Sequence, residues 1–135
     1  MSVDKKDLIT TRDRLPADIN FIMATWLRGL RYGNDWFELI ESEAYYANYH
    51  KVIESLLAKP GVKVQVSCLK DDPEIILGYS VVEGPKLHWL FVKKPWRMIG
   101  IAKSIVPVDV SIATHVTVIG RSLMQKRKMV FNPFL

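Results

Sequence analysis

Between Leu87 and Lys103 the chain brings together residues suited to holding an anion. The apolar run Leu87-His88-Trp89-Leu90-Phe91-Val92 leads into Lys93-Lys94-Pro95-Trp96-Arg97-Met98-Ile99-Gly100-Ile101-Ala102-Lys103. An apolar strand entering a basic turn and then a helix start exposes unpaired backbone N–H groups, and a helix dipole adds positive potential there. Gly100 lets a ligand approach the backbone closely, and Ala102 is small to the same effect. Lys93, Lys94, Arg97 and Lys103 add charge. The chemistry that suits this set is the cradling of a phosphate or pyrophosphate. The segment lacks the Gly-Lys-Ser/Thr ending of a nucleotide P-loop and the Gly-x-Gly-x-x-Gly of dinucleotide folds.

Other side chains capable of chemistry are few. Glu83 precedes the apolar run and His88 lies on it. His88 alternates with Leu90 and Val92, which predicts a half-buried histidine with a proton-transfer role as the alternative. His115 falls in a β-branched stretch and is a candidate site residue. His50 is expected on a solvated helix flank. The three histidines and the lone Cys68 show no metal-ligand spacing, so no metal is expected. Cys68 alternates with valines and reads as a small packed residue.

The elements that must position these groups follow from hydrophobic spacing. A short strand at Leu8–Arg12 precedes Pro16, a favoured first helical residue, with Asp18 in the first turn. Ile19, Ile22, Met23, Trp26, Leu27 and Leu30 then mark one helix face. Arg31 to Asp35 is a polar loop, and Trp36 to Ile40 a helical turn. A second helix carries Tyr45, Tyr49, Val52, Ile53, Leu56 and Leu57, and stops at Lys59-Pro60-Gly61. Val62, Val64, Val66 and Cys68 alternate as a strand. Ile75–Val82 and Leu87–Val92 follow as strands two and three of a meander. A short helix ending before Pro107 comes next. Then come a strand over Ser111–Val118, a basic helix over Gly120–Lys128 and an edge strand over Met129–Phe134. The order is β-α-α-β-β-β-α-β-α-β: an α+β domain over residues 1–135 with a largely antiparallel central sheet flanked by helices.

Composition agrees with one domain. The 135 residues are 49% hydrophobic and 24% charged, the balance of a globular chain rather than of a disordered tail. A lone cysteine excludes an intrachain disulfide and suits a reducing compartment. Val110 to Gly120, free of charge apart from histidine, is shorter than the roughly 20 residues a bilayer span takes. Met1 to Lys6 has no apolar core behind its charges, so no signal peptide is expected and the expected location is the cytoplasm. Nineteen Lys and Arg against fourteen Asp and Glu give a net charge of +5, which favours anionic partners. After Glu83 the only acid is Asp109, so the anion should be held by the C-terminal half.

Arg97, Gly100 and Ala102 form Arg-x-x-Gly-x-Ala. This resembles the acyl-CoA pyrophosphate signature of the GNAT superfamily of N-acyltransferases, Gln/Arg-x-x-Gly-x-Gly/Ala. The preceding Leu90-Phe91-Val92 and the element order resemble that family too. The resemblance implies that Leu90, Phe91 and Val92 pair with the pantetheine arm of acetyl-CoA as an added strand. It implies that Arg97, Met98, Ile99, Gly100, Ile101, Ala102 and Lys103 hold the pyrophosphate. An amine would enter between the first two helices and the point where Leu87–Val92 and Ser111–Val118 splay. Arg31, Tyr32, Asn34, Asp35, Trp36 and His115 are the candidate residues on the acceptor side. The amine would attack the thioester directly, which needs a base, oxyanion donors and an acid for the leaving thiolate. Glu83, His88 and Ser122 are the candidates for proton transfer. The family often places a tyrosine in the last helix as that acid, but no tyrosine follows Tyr79. Two further readings therefore stay open: a GNAT-fold module that binds without turnover, and a nucleic-acid-binding protein resting on charge alone. The assembly expected is a monomer or homodimer, with no membrane partner.

Overall fold

The computed structural model describes residues 4–33, 36–115 and 120–134. Ten elements follow one another: β1 (Ile9–Asp13), α1 (Ile19–Tyr32), α2 (Ser42–Ala58), β2 (Val62–Leu69), β3 (Ile76–Glu83), β4 (Lys86–Val92), α3 (Ile101–Ile105), β5 (Ile112–Ala113), α4 (Gly120–Lys126) and β6 (Val130–Phe131). This is the order expected from the sequence. They form one sheet, ordered β1 to β6 as in the chain. The β1–β2, β2–β3 and β3–β4 pairs are antiparallel. The β4–β5 and β5–β6 pairs are parallel, joined through α3 and α4 as parallel connections require.

Each face of the sheet carries its own core. On one face α1 and α2 pack Ile22, Trp26, Leu30, Tyr45 and Ile53 against Val66, Tyr79 and Trp89. On the other, α3 and the segment after it set Ile101, Ile105, Val106 and Val110 against Leu77, Val82, Leu87 and Ala113. The strand positions that alternate in sequence thus supply two layers of apolar side chains, one above and one below the sheet.

Three elements differ from expectation. Pro16–Asp18 is a separate short turn before α1. There Asp18 accepts two bonds from Arg12, at 2.7 and 3.1 Å, and one from Leu15 N–H at 2.8 Å. The Arg12 guanidinium also donates to Pro73 O in the β2–β3 turn. Asp18 therefore stands at the start of α1 as expected, and is a buried clamp as well. Secondly, β5 is only Ile112–Ala113, against an expected Ser111–Val118, of which residues 116–119 lie outside the described set. Thirdly, β6 is Val130–Phe131 rather than Met129–Phe134. Helix α3 stops where expected: Val106, the residue before Pro107, is extended at φ −107°, ψ 114°. Among the described residues no helix is long and apolar enough to cross a membrane.

Candidate active site

The site is built on an irregularity in β4. Val81 pairs with Trp89, but the next residue of β3, Val82, pairs with Leu87. His88 is left over as the extra residue of a β-bulge, a device that re-aims a side chain. Packing shows the same break. Leu87 shares a core with Leu90 and Val92, while Trp89 and Phe91 lie in the opposite one. The expected alternation of His88 with Leu90 and Val92 is thus broken. His88 is buried at 1% exposure rather than half-buried, because the bulge folds it inward between strands.

Beside the bulge the sheet begins to part. β4 and β5 are held by Lys86↔Ile112 and Leu87↔Ala113 alone, with a further bond from Thr114 N–H to Leu87 O at 3.1 Å. Past that bond no described residue of β5 pairs with β4. Lys93 N–H points back to Leu77 O on β3. By alternation the backbone groups of Leu90 and Val92 turn to the other edge, the one β5 leaves.

At the crotch of this opening four polar side chains form a line. Glu83 Oε1 lies 2.9 Å from His88 Nε2. His88 Nδ1 lies 2.7 Å from Thr114 Oγ1, which lies 3.0 Å from His115 Nδ1. Glu83 comes from the end of β3, His88 from the bulge, and Thr114 and His115 from the chain just past β5. Lys86 and Lys59 approach Glu83 from outside at 3.5 and 3.8 Å. The His88 contact, and then the two lysines, hold the Glu83 carboxyl below its usual range. Burial outweighs Glu83 and holds His88 below the usual histidine value. Burial, reinforced by the neighbouring His88, lowers His115 to about 4. Both shifts favour the neutral form of the rings.

An aromatic floor supports the line. The ring of Trp26 on α1 stacks on Trp89 at 5.6 Å and 7°, and His115 meets Trp26 edge-on at 6.0 Å. α1 comes close enough for this because Gly29 faces Trp89: a Cβ there would stand 2.9 Å from Cζ2.

The turn after β4 is basic and open. Arg97 Nε donates to Val92 O at 3.0 Å, tying the turn to the strand end. Met98, at φ 68° and 94% exposed, leads to Gly100 at φ 91°. A Cβ on Gly100 would meet nothing within 4 Å, so the space over it is free. Lys93 Nζ stands 5.5 Å above the Phe21 ring. Ile101 is buried against the sheet. Because α3 has five residues, it supplies first-turn N–H groups but little dipole.

The remaining candidates are scattered. Arg31 and Tyr32 end α1 instead of starting a loop. The Arg31 guanidinium is buried, donates to Ile40 O at 2.9 Å and lies 5.0 Å from the Tyr45 ring, so it locks α1 to α2. Tyr32 is exposed. Asn34 and Asp35, and the side chains of Trp36 and Ser122, fall outside the described residues. His50 is exposed as expected, 2.9 Å from Glu54. Sequence reading missed Thr114, whose only signal was a hydroxyl beside His115 in a β-branched run. The bulge was likewise not foreseen.

No family model matches the chain, and no curated protein matches it. Solved structures do. A putative acetyl transferase from Pyrococcus furiosus superimposes with a TM-score of 0.61 at 18% identity, covering 92% of this chain and 81% of that one. AAC(6')-Iy, in complex with the bisubstrate analogue CoA-S-monomethyl-acetylneamine, gives 0.51 at 12% identity and 90% coverage of both chains. The apo form of YjaB from Escherichia coli gives 0.50 at 17% identity over 73% of this chain, which spans 61% of the length of that one. Together with the six-stranded, mostly antiparallel sheet flanked by helices, these likenesses establish that the chain has the fold of the GNAT acetyltransferases.

Proposed function

We propose that the chain is an acyl-CoA-dependent N-acyltransferase that moves an acetyl group from acetyl-CoA to an amine. The observation that carries this reading is the β4 edge that no described residue pairs with beyond Leu87, ending in the basic turn that leads to Gly100. A pantetheine arm is an extended chain with amide groups, and such a chain adds to a strand edge through backbone bonds. The N–H groups of Leu90 and Val92 provide that edge, with Phe91, whose own backbone groups face β3, holding the strand between them. Arg97, Met98, Ile99, Gly100, Ile101, Ala102 and Lys103 then surround the pyrophosphate, their N–H groups and cations doing the work of the short α3. The open space over Gly100 fits this. AAC(6')-Iy holds a CoA conjugate on a similar fold, which supports the choice of donor.

The acceptor enters from the α1 side, past His115 and Tyr32. Its nitrogen must be neutral to attack, so a group in the splay accepts a proton as the thioester carbonyl becomes an oxyanion. The His88–Glu83 pair lies on that path. Asn34, Asp35, Trp36 and Ser122 keep their proposed places on the acceptor side and as leaving-group acid, whereas Arg31 serves packing.

Calorimetry with acetyl-CoA, desulfo-CoA and ATP tests the donor site. Acetyl-CoA and desulfo-CoA should bind and Gly100→Glu should abolish both, with the modest drop in melting temperature that a side chain at φ 91° brings but with the cooperative unfolding transition kept. Absence of binding at millimolar ligand overturns the reading. One observation favours binding without turnover. The last tyrosine, Tyr79, has its hydroxyl 2.8 Å from Thr25 Oγ1 and donating to Ile22 O, so it cannot serve as the thiolate's acid. Binding of acetyl-CoA with no product from any of a panel of polyamines, aminoglycosides and lysine peptides would establish that alternative.

A further inference from the structure

The line Glu83–His88–Thr114–His115 has one self-consistent arrangement of protons for each protonation state of His88. A carboxylate only accepts, so His88 must donate to Glu83 from Nε2. A neutral His88 then accepts at Nδ1, and among the described residues the hydrogen that reaches it is that of the Thr114 hydroxyl. With its hydrogen spent, the Thr114 oxygen accepts from His115 Nδ1–H. His115 also donates to the His88 backbone carbonyl, and with Nδ1–H shared between the Thr114 and His88 oxygens its Nε2 is bare. If His88 is protonated instead, every bond beyond it reverses: His88 Nδ1 donates to Thr114, Thr114 donates to His115 Nδ1, and His115 carries its hydrogen on Nε2.

We propose that these four residues form a proton relay, in which a proton taken up at His115 Nε2 is stored on His88 beside Glu83, with the Thr114 hydroxyl as the reversing link. The proposal rests on the acyl-transfer reading only for the identity of the proton donor, the ammonium of the acceptor amine. The steps balance. The ammonium N–H bond breaks and an N–H bond forms at His115 Nε2. His115 Nδ1 passes its proton to the Thr114 oxygen, which passes its own to His88 Nδ1. The positive charge moves from the substrate to His88, 2.9 Å from the Glu83 carboxylate, and the amine keeps the electron pair with which it attacks the thioester. His88 Nε2–H can then leave by way of Glu83, whose side chain reaches solvent.

The surroundings suit storage at His88 rather than at His115. The charged groups facing His88 are Glu83 from β3, Lys86 from its own strand and Lys59 at the end of α2. His115 and Thr114 face it from the chain just past β5, and among the described residues α1 contributes the uncharged Trp26 behind His115. His115 has no carboxylate among its described partners and is flanked by Trp26, so a charge there is poorly compensated. Thr114 is a positioning residue in this scheme, since it acts through the two rings.

The ring nitrogens report the arrangement by 15N NMR on the whole chain, with no ligand. Wild type at pH 7.5 should show His115 protonated at Nδ1 and His88 at Nε2. Acidification should convert His115 to the Nε2–H form in step with protonation of His88. Thr114→Val should uncouple the two titrations, and Thr114→Ser should restore the coupling. His115 protonated at Nε2 in the wild type at pH 7.5, or titrations unaltered by Thr114→Val, would overturn the relay. The wild-type titration decides even if the valine variant does not fold. In turnover, Thr114→Val should leave acetyl-CoA affinity unchanged, lower kcat about tenfold or more, as loss of proton transfer does, and alter the pH profile. A chain that binds no acetyl-CoA but shows the coupled tautomers retains the relay and loses only the acyl-transfer reading.

Discussion

Gly29 illustrates how a single residue sets the site. Replacing glycine by alanine inside a helix ordinarily stabilises by about 0.5–1 kcal/mol. Here the added methyl would meet the Trp89 ring at 2.9 Å, and that ring is itself stacked on Trp26. Overpacking of this kind costs about 1–3 kcal/mol. Gly29→Ala should therefore destabilise the fold in urea denaturation, against its helix propensity, and weaken any ligand held near His115. A second expectation at this scale concerns acid. The His115 folded value of about 4 lies below the ordinary 6.5, and His88 is shifted in the same direction. Below pH 6.5 the unfolded chain binds these protons first, so the stability contributed by two neutral rings is complete above about 6.5 and is lost as pH falls toward 4. Melting temperature across that window should drop in wild type, and less in His115→Gln.

Between elements, the Arg12–Asp18 pair joins β1, the entry to α1 and the β2–β3 turn. Both side chains are largely buried, and the arginine holds the Asp18 carboxyl below its usual range. Removing one member of a buried pair leaves the other unpaired, at a cost of about 3–5 kcal/mol. Asp18→Asn should lose about that much in chemical denaturation. This clamp was not legible in the sequence, because no local pattern links Arg12 to residues in two later segments. What was legible is the set of elements, since Ile22, Trp26 and Leu30 in α1 and Val64, Val66 and Cys68 in β2 carry their periods unbroken. The basic turn around Gly100 was legible too, being contiguous. The bulge was not: parity counted by residue number fails wherever a strand carries an extra residue, and His88 is that residue. Thr114 was missed for a related reason, as its importance lies in standing between two histidines that only the β4–β5 pairing brings together.

Across the whole molecule, charge divides by region. Acids cluster before Glu83, and Lys93, Lys94, Arg97 and Lys103 lie along the turn beyond β4. Not all basic residues are available to a ligand. Arg127 donates to Val106 O and Pro107 O, so it braces the segment after α3. Exposed charge pairs contribute about 0.2–1 kcal/mol each, so Lys103→Ala should weaken acetyl-CoA binding up to about fivefold in calorimetry. Salt should weaken wild-type binding for the same reason. Retention of duplex DNA at physiological salt, with no binding of acetyl-CoA, would instead favour the nucleic-acid reading. The two-residue β5 has one more consequence. It is clasped by two residue pairs on each side, to β4 and to β6, whereas β2 and β3 pair along almost their full lengths. Amides in the clasp, Thr114 and Val130, should therefore exchange with deuterium through local opening while those of Val66 and Tyr79 await global unfolding. A thioester arm lodged along β4 would act as a missing strand, slowing exchange in the clasp and leaving that of the meander unchanged.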